Sequence, residues 1–426
     1  MFETKTITMD LQLFAEYDPN MMTTTSPNLT AESENMKFYS KDLIETAQAN
    51  LVHTQFAEHK PFPKGTGKTI EWRKWSHFKK ALKPLEEGKT PQASALSVGT
   101  ISKKLEQFGD YSIVTDVLDM TAIDDNIIKN TERHAMNMAA TLDTIARNEL
   151  ITGTQVIYAP IIASDGAETE VTSRAGLTKN AKLTLNLIAK AVSQLKKNNA
   201  PKIDGSYICI IHPSVSFDIM THKDWIDIQK YSNTVNIFNG EIGKLYGVRF
   251  IESTEAAILV GADLTADSRA ITATKIEGNV VTINAITASD AEALEGREIL
   301  LYSGTTYEHA VIESATTTSI TLTENAISTA VTKIYPGEGG KETDDEKCAV
   351  YACMFMGKGA YGDVQLDGGS AEVIVKTANQ SGTEDPLNQR NTIGWKCTGY
   401  AAKILIPEYL VRVECGSSFS GIDDAN

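Results

Sequence analysis

Apolar residues recur with helical spacing over residues 121–153, where Ile123, Ile127, Ala135, Met138, Leu142, Ile145 and Ala146 fall on one stripe. Acidic residues are weighted toward the first turns, and Gly153 is placed to stop the helix. A helix of ~30 residues is about 45 Å long at 1.5 Å per residue, longer than a compact domain usually accommodates, so the pattern predicts a spine in an elongated subunit. Further along, Thr184 can cap a second helix with Ile188, Ala191, Val192 and Leu195 turned inward. Gly205 and a strand at Tyr207 to Ile211 come next, and His212-Pro213 then breaks that strand and starts a short helix near Phe217 to Met220. A third helical pattern runs from Ser33 to about Glu58, with Leu43, Ala47 and Leu51 at four-residue spacing and Pro61 and Pro63 ending it. Helix and strand alternate around residues 184–220, which makes that segment α+β or α/β.

Two other stretches have a period of two. Thr69-Ile-Glu-Trp-Arg-Lys-Trp75 alternates like a strand; Pro84, Gly88 and Pro91 punctuate the residues after it, and a second β-rich run covers Val98 to Leu105, so a long two-stranded excursion is expected. Between 256 and 340, Val280 to Ile283, Glu298 to Tyr302, His309 to Ile312 and Ser319 to Leu322 are short strands separated by Gly, Ser and Asn turns, the pattern of a small β-barrel or sandwich. Strand-like patterning resumes at Ala349 to Met356 and Ala371 to Val375, and Gly399 to Glu414 supplies the last strands. Residues 1–31 are polar with little periodicity and are expected to form an extended arm. The β-rich block therefore looks inserted into a pre-existing domain.

Charge sharpens this boundary. The chain of 426 residues has a net charge of -15, but residues 252–347 hold 17 Asp/Glu against 6 Lys/Arg, so this block contributes -11 and the rest only -4. An acidic chain argues against coating DNA by phosphate neutralisation, which needs clustered Lys and Arg. The opposite bias appears between Lys60 and Lys83, with eight Lys/Arg and one acid, Glu71. Such a patch is either a solvated face or an intersubunit contact. No apolar run approaches the ~18–20 residues of a membrane span, and the first 16 residues lack the basic and long apolar regions of a signal peptide. Five cysteines, Cys209, Cys348, Cys353, Cys397 and Cys415, form an odd set in apolar or aromatic surroundings, and read as small core residues of a reducing compartment.

The candidate chemistry is sparse. Gly65-Thr-Gly-Lys-Thr69 resembles the end of a phosphate-binding loop, but Phe62 stands where the first glycine belongs and a strand pattern comes after it where a helix is required. The seven histidines and Cys348/Cys353 lack metal-ligand spacing, the acid pairs Asp124-Asp125 and Asp344-Asp345 lie in polar stretches, and no nucleophile elbow appears. Neither an enzyme nor a cofactor is expected. Trp72, Arg73, Lys74, Trp75, Lys79, Lys80 and Lys83 remain as interface candidates, because aromatic and Arg residues are enriched in interface cores. Packing of the tryptophans within the chain is the alternative. A stacking platform for single-stranded nucleic acid fits less well, since Trp72 and Trp75 lie an odd three residues apart and point to opposite faces of a strand.

Several blocks together resemble a known family. They are Met9-Asp-Leu-Gln-Leu-Phe-Ala15, Gly67-Lys-Thr-Ile-Glu-Trp-Arg-Lys74, Lys80-Ala-Leu-Lys-Pro-Leu-Glu-Glu-Gly88, Phe108-Gly-Asp-Tyr111 with Leu118-Asp-Met-Thr-Ala122, and Leu142-Asp-Thr144. Gly240-Glu-Ile-Gly-Lys-Leu-Tyr-Gly-Val-Arg-Phe250, Gly357-Lys-Gly-Ala-Tyr-Gly362 and Asp385-Pro-Leu-Asn-Gln-Arg390 followed by Gly394-Trp-Lys396 complete the set. In order and spacing they resemble the major capsid proteins of tailed bacteriophages, the N-four-like capsid family, with the Hong Kong 97-type fold. The resemblance implies an α+β subunit with an N-terminal arm and helix at 1–61, an extended E-loop at 62–109, a peripheral domain at 110–179 and 395–426, and an axial domain at 180–252 and 346–394. Residues 253–345, outside the family's core pattern, are then an inserted all-β acidic domain. The implied function is self-assembly into hexamers and pentamers of an icosahedral head around double-stranded DNA, in a virion assembled in the host cytoplasm. Implied partners are further copies of the chain, a portal and a scaffold or decoration protein, with no membrane. A nanocompartment shell of the encapsulin type and a soluble enzyme with a β-rich accessory domain are the competing readings.

Overall fold

The computed structural model describes residues 52–63, 65, 67–75, 78, 80, 82, 84, 87–90, 93, 95–121, 126–163, 166–172, 174–222, 244–261, 264–265, 271–303, 307–326, 330–339, 348–366, 372–376 and 389–423, with short strands at 21–22, 25–26 and 29–30. The chain forms two compact units, one of residues 1–47, 108–138 and 371–397 and the other of the remainder.

The larger unit is built on a seven-stranded mixed sheet whose main path runs 244–245, 248–252, 207–211, 349–356, 410–415, 156–158, with 258–260 pairing on 349–351. Tyr207–Ile211, Ala349–Met356 and Leu410–Cys415 are continuous apolar runs broken by only a few polar residues, the signature of strands covered on both faces, and every residue in them is buried. The helix Leu185–Lys197 packs on this sheet through Leu187, Ile188, Ala191, Val192 and Leu195, and Thr184 Oγ1 accepts the Leu187 N–H at 3.2 Å as its cap. The next helix, Pro213–Thr221, starts at the expected proline: His212 Nδ1 accepts the Ser214 N–H and proline is preorganised for the first turn.

The long helix spans Asn126–Ile151, after a separate turn of helix at Asp116–Thr121; Ile123 and the acids Asp124 and Asp125 fall outside the described residues, and the first turn carries no acid. Of its expected stripe only Ala146 is fully buried, while Leu142 and Ile145 are half-buried. The most buried positions near its C-terminal end also include Asp143, Arg147 and Glu149. Gly153 does come after the helix, though not through a left-handed turn: a Cβ there would stand 2.9 Å from the Leu410 side chain and 3.2 Å from the Leu150 carbonyl.

The acidic β-rich block is a closed six-stranded barrel in the order 271–277, 280–283, 319–322, 307–315, 298–302, 333–336, with a helix at Ala288–Leu294. It has its own core of Val281, Leu294, Ile299, Leu301, Ile312, Ile320 and Ile334. The alternation in Val280–Ile283, exposed and buried by turns, is that of a one-sided strand. Ile258–Val260, which precedes it, belongs to the main sheet.

One further expectation is corrected. The helical pattern toward Glu58 gives way to turns at 53–56 and a strand at Glu58–Phe62 that runs parallel to 362–366 and holds Pro61 opposite Gln365; residues 31–51 lie outside the described set. Within 395–426, the strand Leu410–Cys415 lies between 349–356 and 156–158. Leu410–Cys415 is wholly apolar apart from Arg412 and Glu414; the buried Glu414 carboxylate pairs with both Arg412 and Arg174, and the strand is held within the main sheet. All five cysteines are free, and four are buried. Cys353 and Cys415, distant in sequence, lie with their Sγ atoms 3.7 Å apart on neighbouring strands.

In the smaller unit Met21–Met22 runs parallel to Ile113–Val114, and Glu372–Lys376 is antiparallel to 392–396. Val114, Leu118 and Ile393 form its small core, flanked by two polar ties, Ser112 Oγ to His134 Nε2 and Trp395 Nε1–H to Asn137 Oδ1, each 2.8 Å.

Candidate functional site

The two-stranded excursion is an antiparallel pairing of Thr69–Trp75 with Val98–Lys104 over seven residue pairs, from Thr69 opposite Lys104 to Trp75 opposite Val98. It is entered through Gly65 and Gly67, at φ +82° and +104°, a backbone that side-chain-bearing residues rarely adopt. The glycine-lysine string is therefore a turn into a strand.

Alternation along the first strand puts Ile70 and Trp72 on the packed side. Trp72, 6% exposed, joins Phe62, Leu105, Val364, Ala401 and Leu405 in a cluster within its own chain. This corrects the interface assignment for Trp72, whose surface is already used. Its indole Nε1–H has no acceptor among the described residues. Lys74 is also engaged within the chain, its Nζ 3.1 Å from Glu408 Oε2, although both side chains stay about half exposed. Arg73 and Lys80 are exposed, and Trp75, Phe78 and Leu82 are 56%, 59% and 84% exposed. Lys79 and Lys83 lie outside the described residues. Between the hairpin and residues 405–409 is a cleft of about 560 Å³, lined by Trp72, Lys74, Trp75, Leu405, Glu408 and Tyr409 among others.

The root of this hairpin is fixed by a buried charge cluster that the sequence did not disclose. Glu149 on the long helix lies 3.6 Å from Lys103 Nζ and 3.2 Å from Lys403 Nζ, and its Oε1 also accepts the Ile404 N–H at 3.3 Å. Burial holds the Lys103 ammonium below its usual pKa, and the neighbouring Glu149 carboxylate opposes that shift. Lys403 in turn stands 5.4 Å above the Tyr302 ring of the barrel.

Two other buried polar residues of the same helix act in parallel. Asp143 accepts the main-chain N–H groups of His53 and Thr54 and pairs with His53 Nδ1 at 2.7 Å. Arg147 binds Glu338 and the Glu255 carbonyl, the chain segments that leave and enter the barrel. Hairpin root, barrel connections and residues 53–54 are thus each tied to one helical end. By helical spacing Asp143 and Arg147 fall beside the apolar stripe and not on it, so the pattern gives no sign of their burial.

Among the described residues there is no group of three or more His, Cys, Asp or Glu side chains fit to hold a metal ion, and no helix long and apolar enough to cross a membrane. The arrangement presents exposed aromatic, aliphatic and cationic side chains on a rigidly rooted hairpin, a surface suited to protein contact.

Residues 102–358 match the family model described as phage capsid protein. Comparison with curated proteins by sequence gave no match. Among solved structures, the capsid of the cyanophage P-SCSP1u is similar with a TM-score of 0.55 at 11% identity, over 95% of this chain and 100% of that one. The capsid of Ralstonia phage GP4 gives 0.51 at 9% identity over 89% and 95%, and the mature capsid of bacteriophage PhiM1 gives 0.50 at 11% over 89% and 91%. At such low identity the agreement is one of fold, and that fold is the Hong Kong 97 type.

Proposed function

The chain belongs to the phage capsid protein family, a structural subunit of the phage head, and from that premise we propose that it assembles into hexamers and pentamers of a closed icosahedral shell around double-stranded DNA. The observation that carries the assembly step is the hairpin surface. Trp75, Phe78 and Leu82 are left in water beside Arg73 and Lys80, on an element whose inner side is already packed. A monomer has no use for such a surface, whereas a subunit whose hairpin reaches over its neighbour covers it.

In this reading residues 62–109 are the E-loop, residues 1–61 an arm that ties subunits together, and the barrel within 253–345 an inserted domain on the shell. The acidic balance of the chain keeps densely packed DNA from adhering to the wall. Assembly takes place in the host cytoplasm, with a portal and a scaffold or decoration protein as the other partners. Stability comes from many repeated contacts, since a single exposed ion pair contributes only about 0–1 kcal/mol.

Electron microscopy and sedimentation of the purified chain test this reading. Rings and closed shells are the expected product. A chain that stays monomeric at high concentration, with and without a scaffold partner, would sink it.

A further inference from the structure

The strand Glu372–Lys376 of the smaller unit pairs on one side with 392–396, and among the described residues no strand pairs with its other edge. An open edge is a row of unpaired N–H and C=O groups, a template for another chain. Native edges are commonly protected by proline, a bulge or an inward-pointing charge. None of these stands at the centre of this strand, whose sequence is Glu-Val-Ile-Val-Lys. Ile374 and Val375 point to opposite faces by strand alternation, yet are 36% and 39% exposed. Both faces of the edge are therefore wet and apolar.

The charges identify the occupant. When the five residues are laid antiparallel to a copy of themselves about a two-fold axis at Ile374, each Glu372 stands opposite a Lys376 of the other copy and each Val373 opposite a Val375. A parallel arrangement places Glu372 beside Glu372 and Lys376 beside Lys376, which is unfavourable for directly opposed like charges. Within its own chain Glu372 already faces Lys396 across the sheet, and Lys376 faces Thr392. A second copy thus continues a ladder of Lys396, Glu372 and the other copy's Lys376. The strand is self-complementary in one orientation only, the requirement for an isologous two-fold contact.

We propose that Glu372–Lys376 is a two-fold contact between copies of this chain, formed by antiparallel strand pairing that joins the sheets of two subunits. The contact rests on the shell reading and adds to it a specific interface, separate from the hairpin.

Charge reversal with rescue tests it. Glu372→Lys, Lys376→Glu and the double variant are purified, checked for wild-type folding by circular dichroism and thermal melting, and compared by sedimentation and electron microscopy near the lowest concentration at which wild type assembles. Each single reversal sets like charges opposite each other twice per contact, and the assembled fraction is expected to fall about tenfold. The double variant restores opposite charges and is expected to return to within about twofold of wild type. Lys376→Glu is the cleaner single variant, because Thr392 is its only cross-strand neighbour within the chain. Single variants that assemble like wild type, or a folded double variant no better than the singles, overturn the contact. If wild type itself forms no shell, the shell reading fails, and the same proteins are compared in the monomer–dimer equilibrium. There the same loss and rescue supports the strand contact, and its absence overturns it.

Discussion

Arg147 and Glu338 form a two-bonded ion pair, Nη2 to Oε2 at 2.6 Å and Nη1 to Oε1 at 3.1 Å, with the guanidinium 3% and the carboxylate 11% exposed. Nη1 also donates to the Glu255 carbonyl at 2.9 Å. Since the barrel strands run from 271 to 336, one side chain of the long helix grips the chain just outside both ends of the barrel. The geometry is the forked one that arginine alone provides.

Removing one partner leaves the other charge buried. Burial already pushes the Glu338 carboxyl above its usual pKa, and Arg147 is the main group opposing that shift. Arg147→Met is expected to destabilise the subunit by about 3–5 kcal/mol, whereas Arg147→Met with Glu338→Met costs clearly less, because the orphaned carboxylate is gone. Urea unfolding of the two variants decides this; a double variant as unstable as the single would show that the pair's charge is not what matters.

Asp218 fastens the C-terminal segment. Its carboxylate accepts from Lys182 Nζ at 2.8 Å, Ser417 Oγ at 2.7 Å, Ser418 N–H at 2.8 Å and Ser418 Oγ at 2.6 Å. Burial alone would raise its pKa, but these donors together outweigh burial and hold it below the ordinary 3.8. For a carboxyl depressed on folding, the stabilisation is complete above the ordinary value and is lost as pH falls through the folded one. Asp218→Asn is expected to cost about 1–3 kcal/mol at neutral pH. The stability gap between wild type and this variant should then narrow as pH is lowered past about 3.8. A gap that stays constant in denaturant titrations down to pH 3 would refute the assignment.

The elements with a simple period were legible in the sequence. The capped helix at 185–197, the buried strands at 207–211 and 349–356 and four of the six barrel strands appear where the pattern of apolar residues places them. Ile271–Glu277 and Lys333–Pro336, which close the barrel, were missed because the first carries Thr and Lys on its exposed side and the second is only four residues long and ends in proline. The anchoring residues were illegible for a different reason. Asp143, Arg147 and Glu149 look like a solvated helical face until their partners His53, Glu338 and Lys103, 46 or more positions away, are brought next to them. Periodicity detects which face is apolar; it carries no information on long-range charge pairing. The same limit applies to Trp72, which reads equally well as an interface residue or a core residue until Leu405 and Val364 are seen against it.

That distinction separates the two tryptophans by experiment. Trp72→Ala removes a buried indole from a cluster with Phe62 and Leu405 and is expected to cost about 3–5 kcal/mol of subunit stability. Trp75, 56% exposed, contributes little to the isolated subunit, so Trp75→Ala should change its stability by no more than about 0.5 kcal/mol. If the exposed hairpin face is an assembly contact, Trp75→Ala nonetheless loses shells, and reversal of Lys79, Lys80 and Lys83 to Glu blocks them while leaving a folded monomer. Thermal melting separates stability from assembly, and electron microscopy counts the shells. Normal shells from both Trp75→Ala and the triple reversal would remove this face from the contact and leave the hairpin as an element whose packing ends at Trp72.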